Sequence, residues 1–130
     1  MFSHTVIQSV QTPSGQLNAG NKVYQAAANL EFDEVIDAGG VDIEVGVTIP
    51  VANIKSLVLT ANQDVTVKTN SVGAPANTFP LKANVPYIWN TDSYDTNKMT
   101  IDVTKLFVSN AGANPATISG RFIFDPTPTP

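Results

Sequence analysis

At 130 residues the chain is long enough for one domain with its own apolar core, and with no cysteine it has neither disulfides nor thiolate metal sites to hold it together. Its net charge of −4 and its seven basic residues, spread singly from Lys22 to Arg121, exclude the concentrated cationic face that nucleic-acid binding draws on. Charged residues make up only 14% of the chain, and Thr and Asn together outnumber them, so the surface is expected to be neutral and polar.

The N-terminal run MFSHTVIQSV has no cationic region followed by an unbroken apolar stretch, and no segment approaches the ~20 apolar residues of a membrane span. A soluble product without a secretory signal or a membrane partner is expected. His4 lies in a terminus expected to be mobile until something fixes it. YQAAANLEF then sets Tyr24, Ala26, Ala28, Leu30 and Phe32 on alternate positions, the period of a strand, with a short helix through the alanines as the competing reading. DAGG, Asp37 to Gly40, tolerates positive φ, and after it Val41, Ile43, Val45, Val47 and Ile49 alternate with Asp42, Glu44, Gly46 and Thr48. This predicts a hairpin whose second arm buries all five apolar residues.

A second hairpin is predicted in IKSLVLTANQDVTVKTN, Ile54 to Asn70, where strand-forming runs flank the turn-like Ala61–Asp64. After the loop SVGAPAN come TFPLKA and VPYIWN. Pro80 and Pro86 cannot donate to a ladder, so these strands belong at sheet edges. WNTDSYDTNKM is a long polar connection. TIDVTKLFVSN points Ile101, Val103, Leu106 and Val108 inward if the register slips near Lys105. In TISGRFIFD, Ile118, Phe122 and Phe124 share one side, with Arg121 and Ile123 on the other. The closing PTPTP, residues 126–130, favours an extended polyproline-like arm. About eight short strands and no convincing helix make an all-β fold, a single two-sheet antiparallel sandwich over residues 1–125. A jelly roll is the first choice and an immunoglobulin-like sandwich the alternative.

Chemistry is harder to place. With His4 as the only imidazole, Ser-His-Asp, Cys-His and multi-histidine metal sites cannot be assembled, so no catalytic residue, metal or cofactor is assigned and a non-enzymatic protein is expected. Glu31, Asp33, Asp42 and Glu44 are spaced to share the outer face of the first hairpin, a like-charge cluster best read as a solvated face. Asp92, Asp95 and Asn97 offer oxygen ligands at short spacing, without the glycine and closing glutamate of a helical calcium loop. Trp89 with Tyr87 and Tyr94 has the composition of a sugar-stacking platform, set against an ordinary core or interface role for Trp89.

Three blocks in succession, IKSLVLTANQDVTVKTN, APANTFPLKANVPYIWN and IDVTKLFVSNAGANPATISGRFIFD, resemble small virion proteins of tailed bacteriophages, in particular the jelly-roll head decoration or cement proteins. The resemblance rests on Lys55, Asp64 to Asn70, Pro75 to Leu81, Trp89, Asp102 to Asn110 and Asp125, and the first half of the chain carries no distinctive block. It implies a multicopy virion part on the outer capsid surface, made in the host cytoplasm. Such a part bridges neighbouring major capsid protein subunits and self-associates as a dimer or trimer. The candidate contact segments are Phe2, His4 and Val6 at one end and Pro126 and Pro128 at the other. The second function class is a carbohydrate- or receptor-binding module of a phage tail or fibre.

Overall fold

The computed structural model describes residues 1–126 and is built from antiparallel strands. They are β1 (Phe2–Thr12), β2 (Gly15–Ala26), β3 (Ala28–Ile36), β4 (Ile43–Val45), β5 (Ile54–Ala61), β6 (Val65–Thr69), β7 (Thr78–Leu81), β8 (Tyr87–Asn90), β9 (Leu106–Ser109) and β10 (Ala116–Phe124). A single 3-10 turn, Val51–Asn53, is the one helical element among the described residues.

Strands β3 to β10 form two four-stranded sheets, ordered β3-β10-β5-β8 and β4-β9-β6-β7. The ladders β3·β10, β4·β9, β5·β8 and β6·β7 are those of one long antiparallel ribbon folded at its middle and rolled up; β10·β5 and β9·β6 close the roll. This is the jelly-roll arrangement of eight strands in two sheets, and it distinguishes the fold from the immunoglobulin-like alternative. Both strands marked by proline, β7 with Pro80 within it and β8 directly after Pro86, lie at sheet edges as expected.

Two expected hairpins are not hairpins. The turn at Asp37–Gly40 carries the chain from β3 to β4, which lies in the other sheet, and Ala61–Asp64 does the same between β5 and β6. Alternation in each run specifies which face is buried and says nothing about the neighbouring strand. The second turn is held by residues distant in sequence: Asn62 Oδ1 accepts from the Thr117 amide at 2.7 Å, and Asp64 Oδ1 accepts from the Ala83 amide at 2.8 Å. It is a corner pinned to both walls. The strand after Gly40 is correspondingly short: Val45, Val47 and Ile49 are buried, but Val41 and Ile43 are exposed. Ile49 pairs with Val103 in an isolated bridge outside the named strands. Val103 and Leu106 are both buried with two residues between them, the expected slip of register, whereas Ile101 faces solvent at 55% exposure.

Between the sheets lies the core, with Phe122, Leu57, Leu59, Ile118, Val67 and Val108 at or near zero exposure. Gly120 sits in the middle of β10, where a Cβ would overlap the Phe32 ring; its absence lets Phe32 stack on Phe122 with centroids 6.2 Å apart. Polar residues of the two Asp-Val-Thr runs close the loops. Asp102 Oδ1 accepts from the Val51 amide, and Asn70 at φ 71° bonds Asp102 and Thr104. Fully buried Asn110 donates to the Ile36 and Asn114 carbonyls and accepts from the Gly112 amide. Each satisfies backbone groups that a buried corner otherwise strands.

The third sheet is the hairpin of β1 and β2, which the reading of a mobile N-terminus did not anticipate. It runs from the Phe2↔Ala26 pair to a turn closed by Thr12 Oγ1 donating to the Gly15 carbonyl, with Gly15 at φ 119°. The hairpin lies on the outer face of the β3-β10-β5-β8 sheet. There Tyr24, Ala26 and Ile123 form a small cluster of their own, with Val6 against it.

Candidate functional site

The hairpin has two parts that differ in what they touch. Its base is held to the sandwich by polar contacts around the Tyr24–Ala26–Ile123 cluster. His4 Nδ1 and Ser56 Oγ are 3.0 Å apart, the Ala27 amide donates to Asp125 Oδ1 at 3.1 Å, and Lys22 forms an ion pair with Asp92. The Tyr24 hydroxyl has Asn90 Oδ1 and Asp92 Oδ2 each at 3.0 Å. Hydrogen bonds from the Lys22 ammonium and the Tyr24 hydroxyl hold the Asp92 carboxyl below its ordinary range. Burial, and then the bond to Asp92, pushes Tyr24 up. His4 is half-buried, and burial lowers its pKa from 6.5 against the opposing influence of Glu31.

Beyond Gln8 the hairpin leaves these partners. Between Gln8 and Ser9 the register shifts by one residue, a bulge that bends and twists the ribbon. Four more residues of β1 extend for roughly 13 Å at strand rise. Every residue from Ser9 to Leu17 except Thr12 is exposed. Alternation along β1 puts Val10 on the same face as His4 and Val6, and Leu17 is its cross-strand partner. The face that the base lays on its own domain therefore continues into an uncovered apolar pair, Val10 at 55% and Leu17 at 62% exposure. Ile7 and Val23 are exposed as well.

Of the candidate contact residues, Phe2 is partly exposed at the open end of the hairpin. Val6 and His4 are turned onto the sandwich, so their roles are in docking the hairpin base. Pro126 is exposed and follows Asp125, which binds the chain between β2 and β3, so Phe2 and Pro126 leave the fold at the same end. Pro128 lies outside the described residues.

A cleft of about 970 Å³ opens between the hairpin base and the β8–β9 connection, lined among others by Lys22, Tyr24, Tyr87, Trp89, Tyr94 and Asn97. Trp89 and Tyr87 project from edge strand β8, are half-buried and pack against the core, while Tyr94 is fully exposed. Trp89 Nε1 donates to the Asp95 carbonyl at 3.0 Å, and the Tyr87 hydroxyl donates to Asn97 Oδ1 at 2.7 Å. Burial raises the Tyr87 pKa. Of the side-chain oxygens that the sequence offered as calcium ligands, Asp92 Oδ2 is thus turned to Lys22 and Tyr24 and Asn97 Oδ1 to Tyr87 and the Met99 amide, while Asp95 meets Trp89 through its main-chain carbonyl. The four carboxylates expected on one face are also dispersed, because β3 and β4 lie in different sheets. Arg121 meets Asp33 at 3.2 Å and Glu31 at 3.9 Å, Lys68 meets Asp42 at 3.2 Å, and Lys105 meets Glu44 at 3.1 Å.

No protein-family model matches this sequence, and no curated protein or solved structure is significantly similar to it.

Proposed function

We propose that this chain is a non-enzymatic bacteriophage virion protein, a capsid decoration or cement protein that binds the outer surface of the head and bridges neighbouring major capsid subunits. The observation that carries the reading is the hairpin arm, whose base is latched to its own domain while the same face, at Val10 and Leu17, continues uncovered beyond it. An arm of this kind suits a protein that reaches from its own seat to an adjacent one. The jelly-roll order supports the reading as an architecture from which capsid parts are built, although a fold by itself does not assign a function. The residues that carry the resemblance to decoration proteins, among them Asp64, Asn70, Asp102 and Asn110, are loop staples, which fits a stiff framework.

In this mechanism each tip covers its apolar pair against a neighbouring subunit. Burial of one such side chain is worth about 1.5–3 kcal/mol before the entropy of ordering the arm is charged against it, so a single contact is weak. Repetition across a symmetric lattice, and dimers or trimers that seat several arms at once, convert weak contacts into firm attachment. The arm's free strand edges are also available to pair with a partner's sheet. Neither nucleic acid nor membrane takes part.

The test is co-sedimentation of the purified chain with assembled shells of the major capsid protein from the same virion. Wild type is expected to bind, and the double variant Val10→Asp, Leu17→Asp to lose at least about tenfold in affinity. Failure of the wild type to sediment with the shells overturns the proposal. Deleting residues 126–130 in the same assay decides whether the proline arm shares in attachment, since unchanged occupancy removes it.

A further inference from the structure

The cleft beneath the hairpin has features that attachment to a shell does not call for, and we infer that it is a binding site for a neutral oligosaccharide. Its volume of about 970 Å³ is within the range of small-ligand sites. Trp89 and Tyr87 each give one side to the core and line the cleft as well, and Tyr94, fully exposed, is an aromatic ring with no packing role at its lip. Pyranose rings present flat patches of C–H bonds that pack on aromatic faces, while their hydroxyls need donors and acceptors at the rim. Among the lining residues Thr96 and the donor groups of Asn90 and Ser93 supply such groups, Asn90 Oδ1 and Ser93 Oγ already accepting from the protein.

Charge selects the ligand class. The charged residues of the lining are Lys22 and Lys98 against Asp92 and Asp95, a balance with no net attraction for phosphate or sulfate, and Lys22 is already committed to Asp92. A separate observation comes from Asn97. Its Oδ1 holds the Tyr87 hydroxyl and the Met99 amide, yet its buried Nδ2 has no hydrogen-bond partner. A ligand hydroxyl that reaches this nitrogen supplies the missing acceptor.

Trp89 is the only tryptophan, so its fluorescence reports on the cleft directly. The full chain is applied to a printed array of neutral and anionic glycans, and any bound glycan is titrated in solution while Trp89 emission is followed. Neutral oligosaccharides are expected to bind with a change in Trp89 emission. Tyr94→Ala, whose exposed ring leaves the fold untouched, is expected to weaken them about tenfold. Absence of binding to any neutral glycan, a preference for anionic glycans that salt abolishes, or wild-type affinity in Tyr94→Ala overturns the inference. None of these outcomes bears on shell binding through the arm, so this site and the attachment reading fail separately.

Discussion

The two interfaces of the β3-β10-β5-β8 sheet are held by different means. On its inner face twenty buried apolar residues among those described form one continuous core shared with the second sheet. On its outer face the hairpin is seated on a cluster of three, Tyr24, Ala26 and Ile123, surrounded by hydrogen bonds and an ion pair. Apolar burial is non-directional and scales with area, so the inner interface specifies a stable body. Polar contacts are individually modest and depend on geometry and solvent, so the outer one specifies a position that can be left at lower cost. A hairpin that opens locally while the sandwich stays folded follows from that difference.

Adjacent residues of β10 allow the difference to be measured. Phe122 faces the large core and Ile123 the small cluster. Phe122→Ala is expected to cost the whole fold about 3–5 kcal/mol, seen as a lower midpoint in urea denaturation. An unchanged midpoint breaks the assignment of Phe122 to the central core. Ile123→Ala is expected to cost about 2 kcal/mol, because the hairpin can settle into the space. Its signature is local: amides of β1 and β2 lose hydrogen-exchange protection while the β10·β5 ladder keeps its own. Equal loss in both places shows that hairpin and sandwich unfold as one.

The smallest expected effect is on pH. His4 has its folded pKa lowered from 6.5 by burial at the hairpin base. Below 6.5 the released hairpin therefore binds more protons than the docked one, and docking weakens as pH falls through the lowered value. Exchange protection of the hairpin amides, followed from pH 7.5 down to about 5, is expected to fall for wild type and to stay flatter in His4→Gln. Identical profiles for the two proteins remove His4 from the latch.

What could be read in the sequence follows the same division between local and distant causes. Pro80 and Pro86 located two edge strands because a missing amide is a property of the residue itself. Alternation identified Val45, Val47 and Ile49 as inward-facing for the same reason, while Val41 and Ile43, on the same period, face solvent because the strand is short. The choice of strand partner was not local. The ladder between β3 and β10 joins Ala28 to Phe124, and the corner at Ala61–Asp64 has the polar composition of a hairpin turn while being held by Thr117 and Ala83. The N-terminal hairpin did leave a signal in Thr12-Pro13-Ser14-Gly15, a turn-forming run flanked by Val6, Val10, Leu17 and Val23. Its alternation is weak because one face of the tip has no core to face. Tyr87, Trp89 and Tyr94 were visible as an aromatic group, but Lys22 and Tyr24 join them only because the hairpin folds back across the sheet.

The position of β10 has a consequence for how the protein comes to be folded. This strand is inserted between β3 and β5, yet it is laid down after both of them during synthesis. A growing chain that has not yet reached Ala116 therefore lacks the strand that joins β3 to β5. Closure awaits its arrival, and the long sequence separation of those pairings places the protein among slow folders. Until then the inner edges of β3 and β5 present unpaired amides and carbonyls, the surface that holding chaperones shield in nascent β proteins.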